Sequence, residues 1–157
     1  MKILVTGCRG FIGSHVWRLL EQHGHELVGI DSLEPQVHGT LTPAFPHDQR
    51  IIDYLSVGNA VLNGGARVLD VDAVVHLAAV VGVAQSQYEA ARYVQANVLE
   101  TVQLCEQVIQ HRSRIRKVVV ASSMSIYGEG EYANFGDGVV RLRRQPVRGW
   151  DAFDVVW

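Results

Sequence analysis

The sequence predicts an α/β fold, a doubly wound parallel sheet of about five strands with helices on both faces. Short β-branched segments alternate with longer segments in which apolar residues recur at helical spacing. The strand-like segments are apolar along their length rather than at every second residue, which is typical of strands buried on both faces. Ligands of such sheets bind beyond the carboxyl ends of the strands, near the point where strand order reverses.

Strand and helix patterns can be assigned to particular segments. The predicted strands are Lys2–Thr6, Glu26–Ile30, Arg50–Asp53, Ala73–Ala79 and Lys117–Ala121. The predicted helices are Phe11–His23 and Tyr88–Gln110. Residues 32–48 contain three prolines and predict a loop. No period continues past Gly130, so we expect one domain over residues 1–130 and an irregular tail of unassigned role over residues 131–157.

The composition is that of a globular protein without a strong charge. Hydrophobic residues make up 48% and charged residues 19% of the chain, and the net charge is −2. So small a charge argues against partners such as nucleic acid or an anionic membrane. Cys8 and Cys105 lie far apart without metal-ligand spacing, so we expect reduced thiols and no metal site. With neither a secretory signal nor a membrane-spanning apolar stretch, a cytoplasmic protein is expected.

Three glycines, in the segment VTGCRGFIGSH, lie between the first strand and the first helix. Gly7 suits a tight turn, Gly10 allows the backbone to approach a pyrophosphate, and Gly13 allows the helix to pack closely on the strand. The N-terminus of the helix offers N–H groups and a positive dipole end to phosphates. Asp31 follows about twenty residues later, at the end of the second strand. Together these features predict binding of a dinucleotide.

Asp31 also bears on which dinucleotide binds. A carboxylate at this position accepts hydrogen bonds from both ribose hydroxyls of NAD, whereas the 2′-phosphate of NADP would meet a like charge. Arg9 lies inside the glycine loop and is a partner for a phosphate, which keeps NADP as an alternative. We therefore expect NAD as the cofactor in preference to NADP.

The chain resembles the extended short-chain dehydrogenase/reductases, and within them the NAD-dependent nucleotide-sugar epimerases and dehydratases. The similar segments are TGCRGFIG, IDSL, VVHLAAVVGV, ARYVQANVLET and ASSMSIYGEG. DSLEPQVHG and SSMSIYGEG are most similar to the dTDP-L-rhamnose 4-epimerase branch. The resemblance covers residues 1–130, which would be the N-terminal, Rossmann-type portion of such an enzyme. It implies a sheet truncated before its sixth strand and the absence of the substrate domain.

The resemblance implies cofactor-binding roles for residues in the first half of the chain. The backbone around Gly10, Phe11 and Ile12 would hold the pyrophosphate. Asp31 and Ser32 would contact the adenosine ribose.

Further positions of the family's cofactor site also match. Asp53 and Tyr54 would lie beside the edge of the adenine. Asn97 falls where the family has a cofactor-side asparagine on its long helix, and the alternative is an ordinary exposed asparagine. The residues that would line the cofactor at the end of the fourth strand are Leu77, Ala78 and Ala79.

The family's catalytic serine or threonine falls on Ser123, whose hydroxyl would hydrogen-bond the sugar oxygen at the carbon that exchanges hydride. The related 4,6-dehydratases have an Asp-Glu pair directly after it, where this chain has Met124 and Ser125. Removal of water needs a general acid and a general base, which Met124 cannot provide. A 4-epimerase needs only removal of a hydride, rotation of a 4-keto sugar and return of the hydride. The resemblance therefore favours an epimerase over a dehydratase.

The family's Tyr-x-x-x-Lys pair is missing from this sequence. Its two lysines, Lys2 and Lys117, both precede Ser123, so we expect no epimerase turnover from this chain alone. The alternatives are a non-catalytic NAD-binding module, a decayed fragment and an NADP-linked sugar reductase. By resemblance, the expected partners are a nucleotide sugar and either a second copy, bound through Tyr88–Gln110, or a complementing C-terminal chain.

Overall fold

A computed structural model of the chain describes residues 1–38, 50–53, 58, 60, 69–123, 131–134 and 140–143. Its contacts divide the chain into two units, Met1–Ala121 and Ser122–Trp157. The first unit contains the five-stranded sheet and the helices around it. The sequence predicts a boundary near Gly130 instead, and the division into one domain and an irregular tail remains a prediction.

Parallel strands form the sheet of the first unit. They are β1 (Lys2–Thr6), β2 (Glu26–Asp31), β3 (Ile51–Asp53), β4 (Ala73–His76) and β5 (Lys117–Val120). Their order is β3-β2-β1-β4-β5, and each neighbouring pair is parallel. The chain therefore passes from one side of β1 to the other between β3 and β4, which is doubly wound topology. This confirms the predicted fold class.

The bounds of five α-helical segments beside the sheet are described. They are α1 (Phe11–Gln22), α2 (Pro35–His38), α3 (Val83–Ser86), α4 (Ala90–Tyr93) and α5 (Glu100–Gln110). Between α4 and α5 the helix continues as the π-helical segment Val94–Leu99, and we call all of residues 90–110 the long helix. None of the helices in these ranges is long and apolar enough to cross a membrane.

Two helical features differ from the predictions. The short helix α2 lies within the segment predicted as a loop, because proline is tolerated in the first turn of a helix. The long helix was predicted without its π-helical segment, because a single wider turn shifts the apolar spacing by only one residue. Such segments often occur at functional sites.

β4 ends at His76 rather than at the predicted Ala79. The reason is a side chain of the neighbouring strand. The hydroxyl oxygen Oγ1 of Thr6 accepts the N–H groups of Leu77 and Ala78 at 3.2 and 3.1 Å. The N–H of Leu77 is shared with the backbone carbonyl of Thr6, also at 3.2 Å, whereas the N–H of Ala78 bonds to the side chain, so the chain leaves the sheet at this point.

The sheet is buried on both faces, as alternate residues of β1 show. Leu4 belongs to a cluster of buried residues that includes Leu104 of the long helix. Val5 belongs to a second cluster that includes Trp17 of α1. Successive side chains of a strand point to opposite faces, so the two clusters lie on opposite sides of the sheet. Each buried side chain of this size stabilises the fold by about 1.5–3 kcal/mol.

β5 is the edge strand on the side of β4, and all four of its residues are exposed. Its apolar residues Val118, Val119 and Val120 are 40%, 49% and 56% exposed. Parallel sheets normally have both faces covered, and a bare apolar edge is a site for pairing with another strand. The strand therefore presents apolar surface on both of its faces.

The described part of the second unit contains β6 (Glu131–Asn134) and β7 (Val140–Arg143), which pair antiparallel. The sequence analysis expected an irregular tail in this region. The alternation of apolar and charged residues in VRLR is typical of a strand. Four residues are too short a segment for that pattern to stand out from the rest of the tail.

Candidate cofactor-binding site

A cleft of about 440 Å³ opens at the carboxyl ends of β1, β2 and β4. Gly7 and Gly10 line it from the glycine loop, and Asp31 lines it from the end of β2. The turn over residues 32–38 after β2, the segment Leu77–Val81 after β4 and one side of the long helix also contribute to the lining. The strand order reverses here, on the two sides of β1, which is where doubly wound sheets bind nucleotides.

The glycine loop packs directly against the backbone that follows β4. Gly7 has a left-handed φ of 66°, and its N–H donates to the carbonyl of Ile30 at 2.8 Å. A Cβ at Gly7 would lie 2.9 Å from the backbone nitrogen of Ala78, and one at Gly13 would overlap the carbonyl oxygen of Gly7. A side chain at either position would therefore force the loop, the segment after β4 or α1 out of place.

The start of α1 faces this loop. Gly10 is the N-cap, and no side chain caps the helix. The first N–H groups of a helix have no partner within the helix, and the dipole there favours an anion. The side chains of Phe11 and Ile12 are exposed, so their predicted contact with a pyrophosphate rests on their backbone N–H groups.

The carboxylate of Asp31 is buried and joins the glycine loop to the turn after β2. Its Oδ2 accepts the N–H of Arg9 at 2.8 Å, and its Oδ1 accepts the N–H of Leu33 at 2.9 Å. The second bond holds Leu33 in a left-handed conformation, with a φ of 51°. His38 Nε2 lies 3.6 Å from Oδ1. Each carboxylate oxygen can accept a second hydrogen bond, so Asp31 can still accept ribose hydroxyls.

An ion pair joins the two sides of the cleft. Arg92 on α4 lies 2.9 Å from Glu34 and 2.7 Å from Glu89. Both Arg92 and Glu34 line the cleft, so their contact connects the turn after β2 to the long helix. Because these side chains are about one-third exposed, solvent weakens their attraction. The pair therefore does more to hold the turn after β2 beside the long helix than to stabilise the fold.

Three polar side chains form a chain of contacts beside the cleft. Thr6 Oγ1 lies 2.7 Å from His76 Nδ1, and His76 Nε2 lies 3.0 Å from Thr101 Oγ1. Thr6 and His76 are buried in the sheet. Burial lowers the pKa of His76 below its ordinary value, because the charged ring would lose its hydration.

Asn97 binds the backbone of the segment that lines the cleft. Its Oδ1 accepts the N–H of Val80 at 2.8 Å, and its Nδ2 donates to the carbonyl of Val80 at 2.9 Å. Its neighbours Gln95 and Ala96 line the cleft, and Asn97 itself is absent from the lining. The structure thus gives Asn97 a contact that the sequence did not predict, and its role on the cofactor side remains a prediction.

The cleft brings together seven of the residues that the sequence predicts to bind the cofactor. They are Gly7, Gly10, Asp31, Ser32, Leu77, Ala78 and Ala79. Gly13 is buried in the first turn of α1, and Asp53 pairs with Asp31 across neighbouring strands. Tyr54 lies outside the described residues. Ser123 is exposed at the beginning of the second unit, and the roles of all these residues stay predictions.

The sequence analysis missed Thr6, His76 and Thr101. A signal existed for two of them, because Thr6 and His76 are polar residues within otherwise apolar strands. Only the strand register, in which Thr6 is the partner of His76, shows that the two side chains meet.

A doubly wound parallel sheet, a glycine turn into the first helix and an acidic residue at the end of β2 define the dinucleotide-binding class of α/β domains. A model of the NAD dependent epimerase/dehydratase family matches residues 3–143. The chain belongs to that family.

Individual relatives agree with this assignment. The dTDP-L-rhamnose 4-epimerase of Burkholderia thailandensis is 32% identical over 88% of this chain and 39% of the relative. The UDP-glucose 4-epimerase of Halalkalibacterium halodurans is 30% identical over 82% of this chain and 36% of the relative. The structure of MoeE5 in complex with UDP-glucose and NAD superimposes with a TM-score of 0.67 at 34% identity, over 90% of this chain and 43% of MoeE5. This chain thus spans about two-fifths of the length of these relatives.

The lowered pKa of His76 predicts that the free energy of unfolding falls as the pH drops below 6.5, the ordinary value for histidine. The unfolded chain takes up this proton at a higher pH than the folded chain, so the contribution is present above 6.5 and is lost towards the lowered pKa. The free energy of unfolding changes through His76 by at most about 1.4 kcal/mol per pH unit. Urea unfolding between about pH 7.5 and 5.5 measures it.

His76→Gln is the control for this prediction. The variant removes the titrating ring, so we expect lower stability at neutral pH and a flatter dependence on pH than in the wild type. The difference between the two slopes isolates His76 from the other titrating groups. Parallel slopes would contradict the prediction.

Proposed function

We propose that the chain is the NAD-binding portion of a nucleotide-sugar 4-epimerase. The main support for this proposal is that the glycine loop and Asp31 lie together at the cleft. There the N–H of Arg9 donates to the carboxylate of Asp31 at 2.8 Å. The loop approaches Ala78 too closely for a side chain at Gly7, and a backbone cradle of this kind suits a pyrophosphate. Bound NAD would supply hydride chemistry, while the residues of the chain hold and orient it.

The charges of the cleft favour NAD over NADP. Asp31 and Glu34 both line the cleft, and a 2′-phosphate beside them would meet like charge. Arg92 also lines it, but it is paired with Glu34 and Glu89. The NAD in the complex of MoeE5 supports the same cofactor. An NADP-linked sugar reductase is the second candidate, since Arg9 lies in the glycine loop as a partner for a phosphate.

Calorimetric titration of the purified chain with NAD and with NADP tests the cofactor. We expect saturable binding of NAD, tighter than that of NADP by about tenfold or more, because of the like charge at Asp31. Asp31→Asn removes the charge and keeps one acceptor oxygen, so we expect it to reduce the ratio of the two affinities.

The ratio is the readout because Asp31 also accepts two backbone N–H groups, and its replacement weakens the site for both cofactors. Arg18→Ala, on the exposed side of α1, is the control and should leave both affinities unchanged. Tighter binding of NADP than of NAD would support the reductase. Binding of neither cofactor by the wild type would support the decayed fragment.

The catalytic role proposed for Ser123 is to hydrogen-bond the sugar oxygen at the carbon that exchanges hydride. A serine hydroxyl alone is a weak acid, and in this family a tyrosine with a lysine beside it moves the proton. A lysine charge lowers the pKa of a nearby tyrosine, and this chain contains no Tyr-x-x-x-Lys sequence. We propose that it binds NAD without turnover, and that a complementing chain would have to supply both residues. The exposed valines of β5 are the surface on which we place such a chain.

A turnover assay tests this prediction. The purified chain, with NAD and with UDP-glucose or dTDP-L-rhamnose, should form no 4-epimer above background, because the proton-transferring pair is missing. Chromatography of the sugar nucleotides measures the conversion. Ser123→Ala is the matched control and should be indistinguishable from the wild type. Conversion by the wild type that Ser123→Ala abolishes would show that the chain is a complete catalyst.

We further propose that the long helix joins two copies of the chain. Its outward side has an apolar stripe that consists of Val94, Val98, Val102, Cys105 and Ile109, all exposed. The spacing of three or four residues keeps these side chains on one side of the helix. A stripe of this kind can pack against itself across a two-fold axis, with the same residues contributed by both copies.

Sedimentation analysis of the purified chain tests this interface. We expect a dimer for the wild type and a monomer for the double variant Val98→Glu with Val102→Glu, because two charges would be buried in each half of the interface. Gln110→Glu adds a charge on the same helix away from the stripe, and it should leave the dimer intact. A monomeric wild type, or a dimer that survives the double variant, would contradict the proposal.

A further inference from the structure

The side chain of Thr6 begins a series of hydrogen bonds that runs from β1 to the long helix. Its Oγ1 accepts the N–H groups of Leu77 and Ala78, and it also contacts Nδ1 of His76 at 2.7 Å. Leu77 and Ala78 line the cleft, whereas Thr6 and His76 do not. The hydroxyl of Thr6 therefore connects a buried ring to the backbone that faces the cofactor site.

The contacts of Thr101, at the other end of this series of hydrogen bonds, determine which group donates in each bond. Thr101 donates its single hydroxyl proton to the carbonyl of Asn97 at 2.9 Å, and a carbonyl can only accept. At its 3.0 Å contact with His76, Thr101 must then accept, so Nε2 of the ring carries a proton. In the neutral ring Nδ1 is unprotonated, and it accepts the hydroxyl proton of Thr6.

This arrangement uses the hydrogen-bonding capacity of Thr6 and of the His76 ring completely. Thr6 donates once, to His76, and accepts twice, from two backbone N–H groups. A proton on Nδ1 would compete with the N–H groups of Leu77 and Ala78 for Thr6 Oγ1, although the N–H of Leu77 also reaches the backbone carbonyl of Thr6. The other neutral tautomer leaves the buried hydroxyl proton of Thr6 without Nδ1 of His76 as its acceptor, which is unfavourable. The ring is therefore held in one tautomer and one orientation.

The segment Leu77–Val80 is held at one end by β1 and at the other end by the long helix, the two elements that this series of hydrogen bonds connects. Its first two N–H groups bond to Thr6 on β1, and its last residue bonds twice to the side chain of Asn97. The main-chain carbonyl of that same Asn97 accepts the proton of Thr101. All four residues of the segment line the cleft, so a shift of either element would change the wall of the cofactor site.

We propose that His76 and Thr101 are positioning residues of the cofactor site, which act through a relay from Thr6 to Asn97 that fixes the segment Leu77–Val80. Neither side chain contacts the cofactor. The effect on cofactor binding rests on the proposed binding of NAD, whereas the effect on the segment rests on the contacts alone. The two effects can therefore be tested separately.

Nitrogen-15 spectra of the histidine rings test the relay directly. In the wild type at neutral pH, we expect His76 to be a neutral ring with its proton on Nε2. In Thr101→Val the acceptor of that proton is lost, so the Nε2 and Nδ1 resonances of His76 should move. In Thr101→Ser, which keeps the hydroxyl, they should stay close to those of the wild type. A proton on Nδ1 in the wild type would overturn the proposal.

The same two variants test the consequence for the cleft. Valine has the shape of threonine without its hydroxyl, so Thr101→Val should weaken NAD binding by about tenfold, the effect of one unsatisfied buried donor. It should also speed amide hydrogen exchange at Ala78 and Val80. Thr101→Ser should restore both the affinity to within about twofold and the slow exchange.

The outcomes separate this proposal from the proposed function. Failure of the wild type to bind NAD would refute the cofactor and with it the role of the relay in binding, whereas exchange at Ala78 and Val80 would still decide whether the relay fixes the segment. If the wild type binds NAD and Thr101→Val matches it in affinity and exchange, the positioning role is refuted. If Thr101→Ser is as impaired as Thr101→Val, the hydroxyl is not the cause, which also refutes it.

Discussion

The close approach of two backbone segments, the glycine loop and the segment that follows β4, is the constraint on which the first unit depends. Gly7 lies so near Ala78 that a Cβ would reach its backbone nitrogen at 2.9 Å. Gly13 allows α1 to begin against the same loop. As a result the ends of β1 and β4 and the start of α1 meet at one place, and the residues that line the cleft there include Gly7, Gly10, Ala78 and Ala79. A site made in this way can bring N–H groups close to a phosphate.

Polar side chains hold these backbone segments in their positions. The carboxylate of Asp31 binds the glycine loop on one side and the turn after β2 on the other. Thr6, His76 and Thr101 connect β1 and β4 to the long helix, and Asn97 holds Val80. Buried polar groups are costly unless their hydrogen bonds are satisfied, so these contacts favour one arrangement of the cleft over others.

The residues proposed to bind the cofactor and the serine proposed for catalysis lie in different parts of the chain. The groups that we propose to bind NAD lie within the first unit, on elements that pack on both faces of the sheet. Ser123 lies in the second unit, and no Tyr-x-x-x-Lys sequence accompanies it. β5, the last strand of the sheet along the chain, exposes Val118, Val119 and Val120. The proposed dinucleotide site therefore lies in the first unit, apart in the sequence from the serine proposed for catalysis.

The sequence alone determined the fold class, the glycine loop and the position of Asp31, because strand periodicity and glycine spacing are local properties of the chain. The tertiary structure decided where β4 ends, that the long helix contains a π-helical segment, and that Asn97 binds Val80. It also decided that Thr6 meets His76. These two residues are 70 positions apart, and a contact between distant residues leaves no periodic signal in either segment. Only the parallel pairing of β1 with β4 brings the two side chains within hydrogen-bonding distance.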